Sequence, residues 1–245
     1  MPTPVVLISG CSSGIGRALA DAFKAAGYSV WAGARKTADL EQLSAAGFIA
    51  VALDVNDATA IGQAVERLGR EAGRLDILIN NAGYGGIAPL LDGGVEAIHR
   101  QFETNVYSLV GVTRACFDLL RASKGLVVNI GSVSGVMATP YAGAYCASKA
   151  AVHAMCDALR MELAPFSIEV MEVQPGAIES NFGANASQHA EQLISESSPW
   201  WPLREGIRAR ANVSQDKPTP ASEFAAGVLR TVGRSARPRL VRLGN

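Results

Sequence analysis

The chain has 245 residues, nearly half of them hydrophobic, with 22 basic and 22 acidic side chains. That length and apolar content can build a full core without staples, and the balanced charge excludes a chain-wide field for nucleic acid or an anionic membrane. The four cysteines lack CxxC spacing, the three histidines are scattered, no apolar run is long enough to span a bilayer, and Met1-Pro2-Thr3-Pro4 is no basic leader. We therefore expect reduced thiols, no metal, no transmembrane segment and a cytoplasmic address.

Residues 5–9 form a β-branched run that meets Gly10-Cys11-Ser12-Ser13-Gly14-Ile15-Gly16, and a helical stretch over 17–26 follows. Strands are predicted again over 28–33, 48–53 and 75–79, with helices over 37–46 and 58–71 between them. After a glycine-rich loop over 84–94, a long helical stretch covers 95–123 and is expected to bend near Asn105. Further strands are predicted over 126–130, 168–173 and 240–243, and further helices from Tyr145 to about 164 and over 221–232. Strand and helix alternation of this kind makes βαβ units, so the fold class is α/β: a doubly wound, Rossmann-type parallel sheet of seven strands with helices on both faces. One domain over 1–245 is the economical reading, with the less regular residues 177–217 as a substrate lid.

The chemistry gathers at strand ends. Gly10, Gly14 and Gly16 lie where the first strand meets its helix, so the backbone can turn sharply and bring a helix N-terminus to a pyrophosphate. After the second strand come Arg35 and Lys36 where a carboxylate would hold a ribose hydroxyl; two cations favour the 2′-phosphate of NADP(H) over NAD(H). Asp54 after the third strand is a candidate for the adenine amino group and equally a cap or turn former. Tyr145 and Lys149 are spaced i, i+4 and share a helical face, where a fixed cation favours the phenolate and suits the pair to proton transfer. Ser132 ends the fifth strand and reaches the same sheet edge.

Taken together, Gly10-x-x-x-Gly14-Ile15-Gly16, Asn80-Asn81-Ala82-Gly83, Asn105, Ser132, Tyr145-x-x-x-Lys149 and Pro175-Gly176 resemble, in order and spacing, the single-domain short-chain dehydrogenase/reductases. Residues 32–36 and 81–85 look most like members acting on steroids, retinol-like alcohols and other apolar ketones. The resemblance implies an oxidoreductase that interconverts a ketone or aldehyde and an alcohol, with Tyr145 as general acid/base. It implies that Lys149 lowers the phenol's pKa and holds the nicotinamide ribose, that Ser132 binds the reacting oxygen, and that Asn105 holds a water leading to Lys149. For the cofactor it implies Ser12, Ser13 and Ile15 in the glycine loop, Val55 beside Asp54, and Asn81, Ala82 and Gly83 toward the adenosine. Pro175, Gly176, Ile178 and Ser180 would lie at the nicotinamide end. Ser9 and Ser180 stand where the family often has threonine; both keep a hydroxyl, so unaltered chemistry is expected.

Met137, Tyr141, Phe182, Trp200 and Trp201 are the expected contributors to a substrate pocket for a bulky apolar ketone or alcohol. Arg204, Arg208 and Arg210 read as a solvated helix face, with contact to an anionic substrate as the alternative. The helices over 106–120 and 147–163 are apolar over more of their circumference than one buried stripe requires, which in the resembled family is explained by a homodimer or homotetramer contact. A catalytically silent NADP(H)-sensing regulatory protein on the same fold is the rival reading. It would need only the phosphate loop, whereas Asn105, Ser132, Tyr145 and Lys149 are all present. A sugar-nucleotide epimerase would need a larger C-terminal portion.

Overall fold

The computed structural model describes residues 3–180 and 194–245. The elements are β1 (Val5–Ile8), α1 (Gly14–Ala25), β2 (Ser29–Ala34), α2 (Thr37–Ala45), β3 (Ile49–Ala52), α3 (Ala58–Ala72) and β4 (Ile77–Asn80). There follow α4 (Leu90–Phe102), a π-helical turn (Glu103–Tyr107), α5 (Ser108–Ala115), α6 (Phe117–Ser123), β5 (Leu126–Ile130) and α7 (Gly143–Leu163). The described chain closes with β6 (Glu169–Pro175), α8 (Arg204–Asn212), α9 (Ala221–Val232) and β7 (Leu240–Leu243). The seven strands form one sheet in the order β3-β2-β1-β4-β5-β6-β7, every pair parallel.

Alternation along the strands fills both faces, as the period-two geometry of a pleat requires. Val6 and Ile8 of β1 join Leu19, Ala20 and Phe23 of α1 and Phe224 and Val228 of α9. Val5 and Leu7 point the other way, into a second core with Ile61 and Leu68 of α3, Val112 of α5 and Leu163 of α7. The strand order reverses between β1 and β4, so a crevice opens at their carboxyl ends, the usual ligand position in such sheets. The glycine loop and Asn80-Asn81-Ala82-Gly83 flank it.

Three boundaries differ from the sequence reading. Helix α4 begins at Leu90, inside the expected loop, and is interrupted at Gly94, whose φ of 61° only glycine adopts readily. The long stretch also breaks at Cys116, between α5 and α6. Within 177–217, α8 is a regular helix between short 3-10 turns. Its apolar residues Ile207 and Ala211 are buried against Ala142 and Cys146, a tertiary seat that local sequence does not reveal.

Candidate active site

The dinucleotide cradle rests on a glycine loop held from both sides. Gly10 has φ +75°, and a Cβ at Gly16 would collide with the Gly10 carbonyl, so the turn and the close helix approach both need glycine. Asn81 staples the loop: its Nδ2 donates to the carbonyls of Ser9 at 2.8 Å and Gly10 at 3.1 Å. The Ser9 hydroxyl accepts from the backbone N–H of Asn81 and of Ala82, each at 3.0 Å. Ser9→Ala removes the acceptor for two partly buried amides and is expected to destabilise the fold by about 1–3 kcal/mol. Ser9→Thr keeps that acceptor and should melt close to wild type in urea; equal melting of Ser9→Ala and wild type would refute the staple.

The cradle fits an anionic dinucleotide. The N-terminus of α1 carries no side-chain cap at Ser13 and no acidic residue in its first turn, which leaves amide donors for a phosphate. Ser12 and Ser13 are exposed at its mouth, and Gly14, Ile15 and Gly16 are its first helical residues. A Cβ at Gly14 would lie 3.1 Å from Ser180 Cβ, so the segment after Pro175-Gly176 reaches over the glycine loop. Ile178 is buried beneath it and Ser180 donates to the Ile178 carbonyl at 3.3 Å. Arg35 and Lys36 are exposed at the end of β2, and no described carboxylate forms an ion pair with either. Asp54 uses one oxygen to accept from the Asn56 amide at 3.0 Å, a turn role, while the cap of α3 is Asp57. Val55 is buried beside it.

Ser132, Tyr145, Lys149 and Asn105 converge at the carboxyl end of β5. Tyr145 is half-buried and hydrogen-bonded to Ser132, whose hydroxyl also accepts from the Ser134 amide at 3.1 Å. Lys149 is buried, and its Nζ donates to the Ile130 carbonyl at 2.8 Å. Asn105 sits in the π-helical turn, a widened turn where the sequence reading expects a bend. Its Oδ1 accepts from Tyr84 N at 3.0 Å, and its Nδ2 donates to Tyr84 O at 3.0 Å and Ser148 Oγ at 3.1 Å. A Cβ at Gly83 would meet Asn105 Oδ1 at 3.0 Å and Lys149 Nζ at 3.8 Å, so these two polar groups close around that glycine.

The electrostatics depart from what the i, i+4 spacing alone leads one to expect. Burial pushes the Tyr145 phenol up to about 12, against the downward pull of its Ser132 hydrogen bond and of the Arg210 guanidinium. Burial draws the Lys149 amine down to about 8, against the upward pull of Cys156 and Glu172. The protein's own groups therefore keep the phenol protonated at neutral pH, a donor and not a phenolate. Beneath Lys149, on the next turn of α7, His153 Nε2 lies 3.1 Å from Oε1 of the buried Glu172. Gln174 donates to that same oxygen at 2.5 Å and accepts from Arg242 Nε at 2.9 Å.

Sequence reasoning missed Gln101, the His153–Glu172 pair and the inward turn of Arg210. Gln101 is buried one turn before Asn105; it accepts from Gly86 N and donates to Tyr84 O, each at 2.7 Å. Two amides four residues apart on a helix, facing a glycine loop, are a legible signal for such a clamp. Met137 is 68% exposed, and Phe182 lies outside the described residues.

This arrangement of sheet, glycine loop and Ser-Tyr-Lys convergence has relatives. The short chain dehydrogenase family profile matches residues 4–191. The chain is 38% identical over 186 residues to a 3-ketodihydrosphingosine reductase of Bacteroides thetaiotaomicron, covering 76% of this chain and 68% of that protein. It is 34% identical over 233 residues to an NADPH-dependent 1-acyldihydroxyacetone phosphate reductase of Schizosaccharomyces pombe, covering 94% and 78%. A solved short-chain dehydrogenase from Streptomyces avermitilis superposes with a TM-score of 0.86 at 31% identity, covering 100% of this chain and 89% of that one. The chain belongs to the short-chain dehydrogenase/reductase family. Its class is that of nicotinamide-dependent oxidoreductases acting on alcohols and ketones, and among the described residues no helix is long and apolar enough to cross a membrane.

Proposed function

We propose that the protein is an NADP(H)-dependent carbonyl reductase/alcohol dehydrogenase that uses Tyr145 as general acid/base on a bulky, largely apolar substrate. The observation that carries this reading is the convergence of the Tyr145 phenol, hydrogen-bonded to Ser132, with the buried Lys149 at the sheet edge above the dinucleotide cradle. The cofactor supplies the hydride. Tyr145 donates its proton to the carbonyl oxygen, which accepts a second hydrogen bond from Ser132 and is thereby held and polarised. Lys149, anchored on Ile130 O and engaged in no ion pair among the described residues, orients the ribose beside the phenol. Asn105 and Gln101 fix the backbone at Tyr84 and Gly86 and so shape the wall of the site.

Arg35 and Lys36 support NADP(H), as does the NADPH dependence of the Schizosaccharomyces pombe relative. Tyr141, Trp200 and Trp201, packed on the cluster of Ile87, Ala142, Cys146 and Ile207, support an apolar substrate chain and a lid over 177–217 within one domain of residues 1–245. Purified protein assayed with NADPH against medium-chain ketones should consume the cofactor; no turnover across the panel would remove this reading.

Oligomerisation is part of the proposal. Tyr107 and Val110 near the start of α5 and Met161 and Phe166 near the end of α7 leave apolar surface exposed, which a second copy would cover. Sedimentation at micromolar concentration is expected to show a dimer or tetramer, and a stable monomer would contradict it. All four cysteines are free and buried, consistent with a reducing, cytoplasmic compartment.

A further inference from the structure

The three arginines of α8 part company. Arg204 lies over the Trp201 ring at 4.7 Å and donates to the Trp201 carbonyl at 3.0 Å. Arg208 pairs with Glu205 at 3.0 Å on the exposed face. Arg210 turns inward: it is half-buried, and its guanidinium donates to Thr139 Oγ1 in the loop between β5 and α7. Among the described residues, no carboxylate forms an ion pair with it. Its position is fixed because Ile207 and Ala211, its neighbours on α8, are buried in the same cluster as Ala142 and Cys146.

A half-buried guanidinium without a counter-charge among the described residues is an unfavourable arrangement unless a further anion completes it. Thr139 uses one of its N–H donors, and the planar fork that remains is suited to bidentate contact with an oxyanion. The charge also lies close enough to act on the Tyr145 phenol. Because Ile207 and Ala211 pack with Cys146, the residue after Tyr145, α8 stands on the side of the fold that carries the reacting group and not on a remote surface.

We propose that Arg210 binds an oxyanion carried by the substrate itself, a carboxylate, phosphate or sulfonate on the same molecule as the carbonyl that Tyr145 protonates. The inference rests on the reductase reading above and sharpens its substrate class. The preferred ketone is amphipathic, with its acidic group on Arg210 and its apolar chain against Tyr141, Trp200 and Trp201. An acidic group on another molecule, or a merely tuning effect of Arg210 on the phenol, predicts different kinetics.

The test compares 2-oxo, 4-oxo and 6-oxo dodecanoates with their methyl esters, with NADPH, in wild type, Arg210→Met, Arg210→Lys and Arg208→Met. The readout is the acid-to-ester ratio of kcat/KM, in which any shared effect on Tyr145 or on the folded fraction cancels. For at least one chain position the wild-type ratio should exceed about 10, fall about 10- to 100-fold in Arg210→Met, recover in part in Arg210→Lys and stay put in Arg208→Met. The preference should weaken as salt is raised. Equal loss on acid and ester in Arg210→Met overturns the proposal and leaves the reductase reading intact. If no ketone turns over, the reductase reading fails, and quenching of tryptophan fluorescence by the same acids decides the anion site. Binding that needs Arg210 supports the site, and binding indifferent to it rejects it.

Discussion

Tyr145→Phe is expected to lower kcat/KM for ketone reduction by about 10²- to 10⁴-fold, the usual contribution of a positioned general acid. The phenylalanine keeps the ring in its half-buried place on α7, so folding and NADPH binding should hold while proton donation is lost. The pH profile follows from the direction of the phenol's shift. With burial holding it up to about 12, the donor form persists through neutral pH, and reduction should not decline until alkaline pH. Alcohol oxidation needs the conjugate base, so its rate should rise with pH over the same range. Near-normal turnover by Tyr145→Phe, or oxidation that falls as pH rises through neutrality, would dismiss the assignment.

Arg35→Ala is expected to raise the Kd for NADPH by about 10- to 100-fold while changing that for NADH by less than about threefold. The bound 2′-phosphate would accept charge-assisted hydrogen bonds from the guanidinium, each worth about 1.5–3 kcal/mol, and NADH offers no such group. Arg35 is exposed and forms no ion pair among the described residues, so its removal leaves no described buried partner unsatisfied and the effect should be confined to the cofactor. Lys36→Ala should show a smaller loss of the same sign, since an ammonium is a point charge without the bidentate fork. Titration of both variants with both cofactors checks this; equal losses for NADPH and NADH would discard the clamp.

The parallel sheet was legible because its strands are short β-branched runs separated by helical stretches long enough to cross back over the sheet, a pattern that states its own topology. The glycine loop, Ser132 and the Tyr145–Lys149 spacing were legible for a related reason: each is local, within one loop or one helical turn. Asn105 was half legible. An amide in an apolar helix marks a bend, but which backbone it would grip depends on where the loop after β4 passes. Ser9 and Arg210 act on residues 71 to 73 positions away, so their roles depend on tertiary approach that no local pattern encodes, whereas Gln101 was readable from its spacing to Asn105 and was overlooked. Lys149 shows the same limit in energy. Spacing announces a cation beside a phenol, whereas burial decides that the phenol is pushed up and the amine drawn down.

The π-helical turn at Glu103–Tyr107 sets a phase between the two segments it joins. Each α-helical residue advances the chain by about 100°, so excising one residue there would wind α4 round by that angle relative to α5. Gln101 would then swing away from the strand-four exit while Asn105 still faced it, and the grip on Tyr84 and Gly86 would be halved. Length variation in this family member is therefore tolerable at the outer ends of these helices and closed at their junction, where a single codon's loss would misalign the wall of the catalytic chamber.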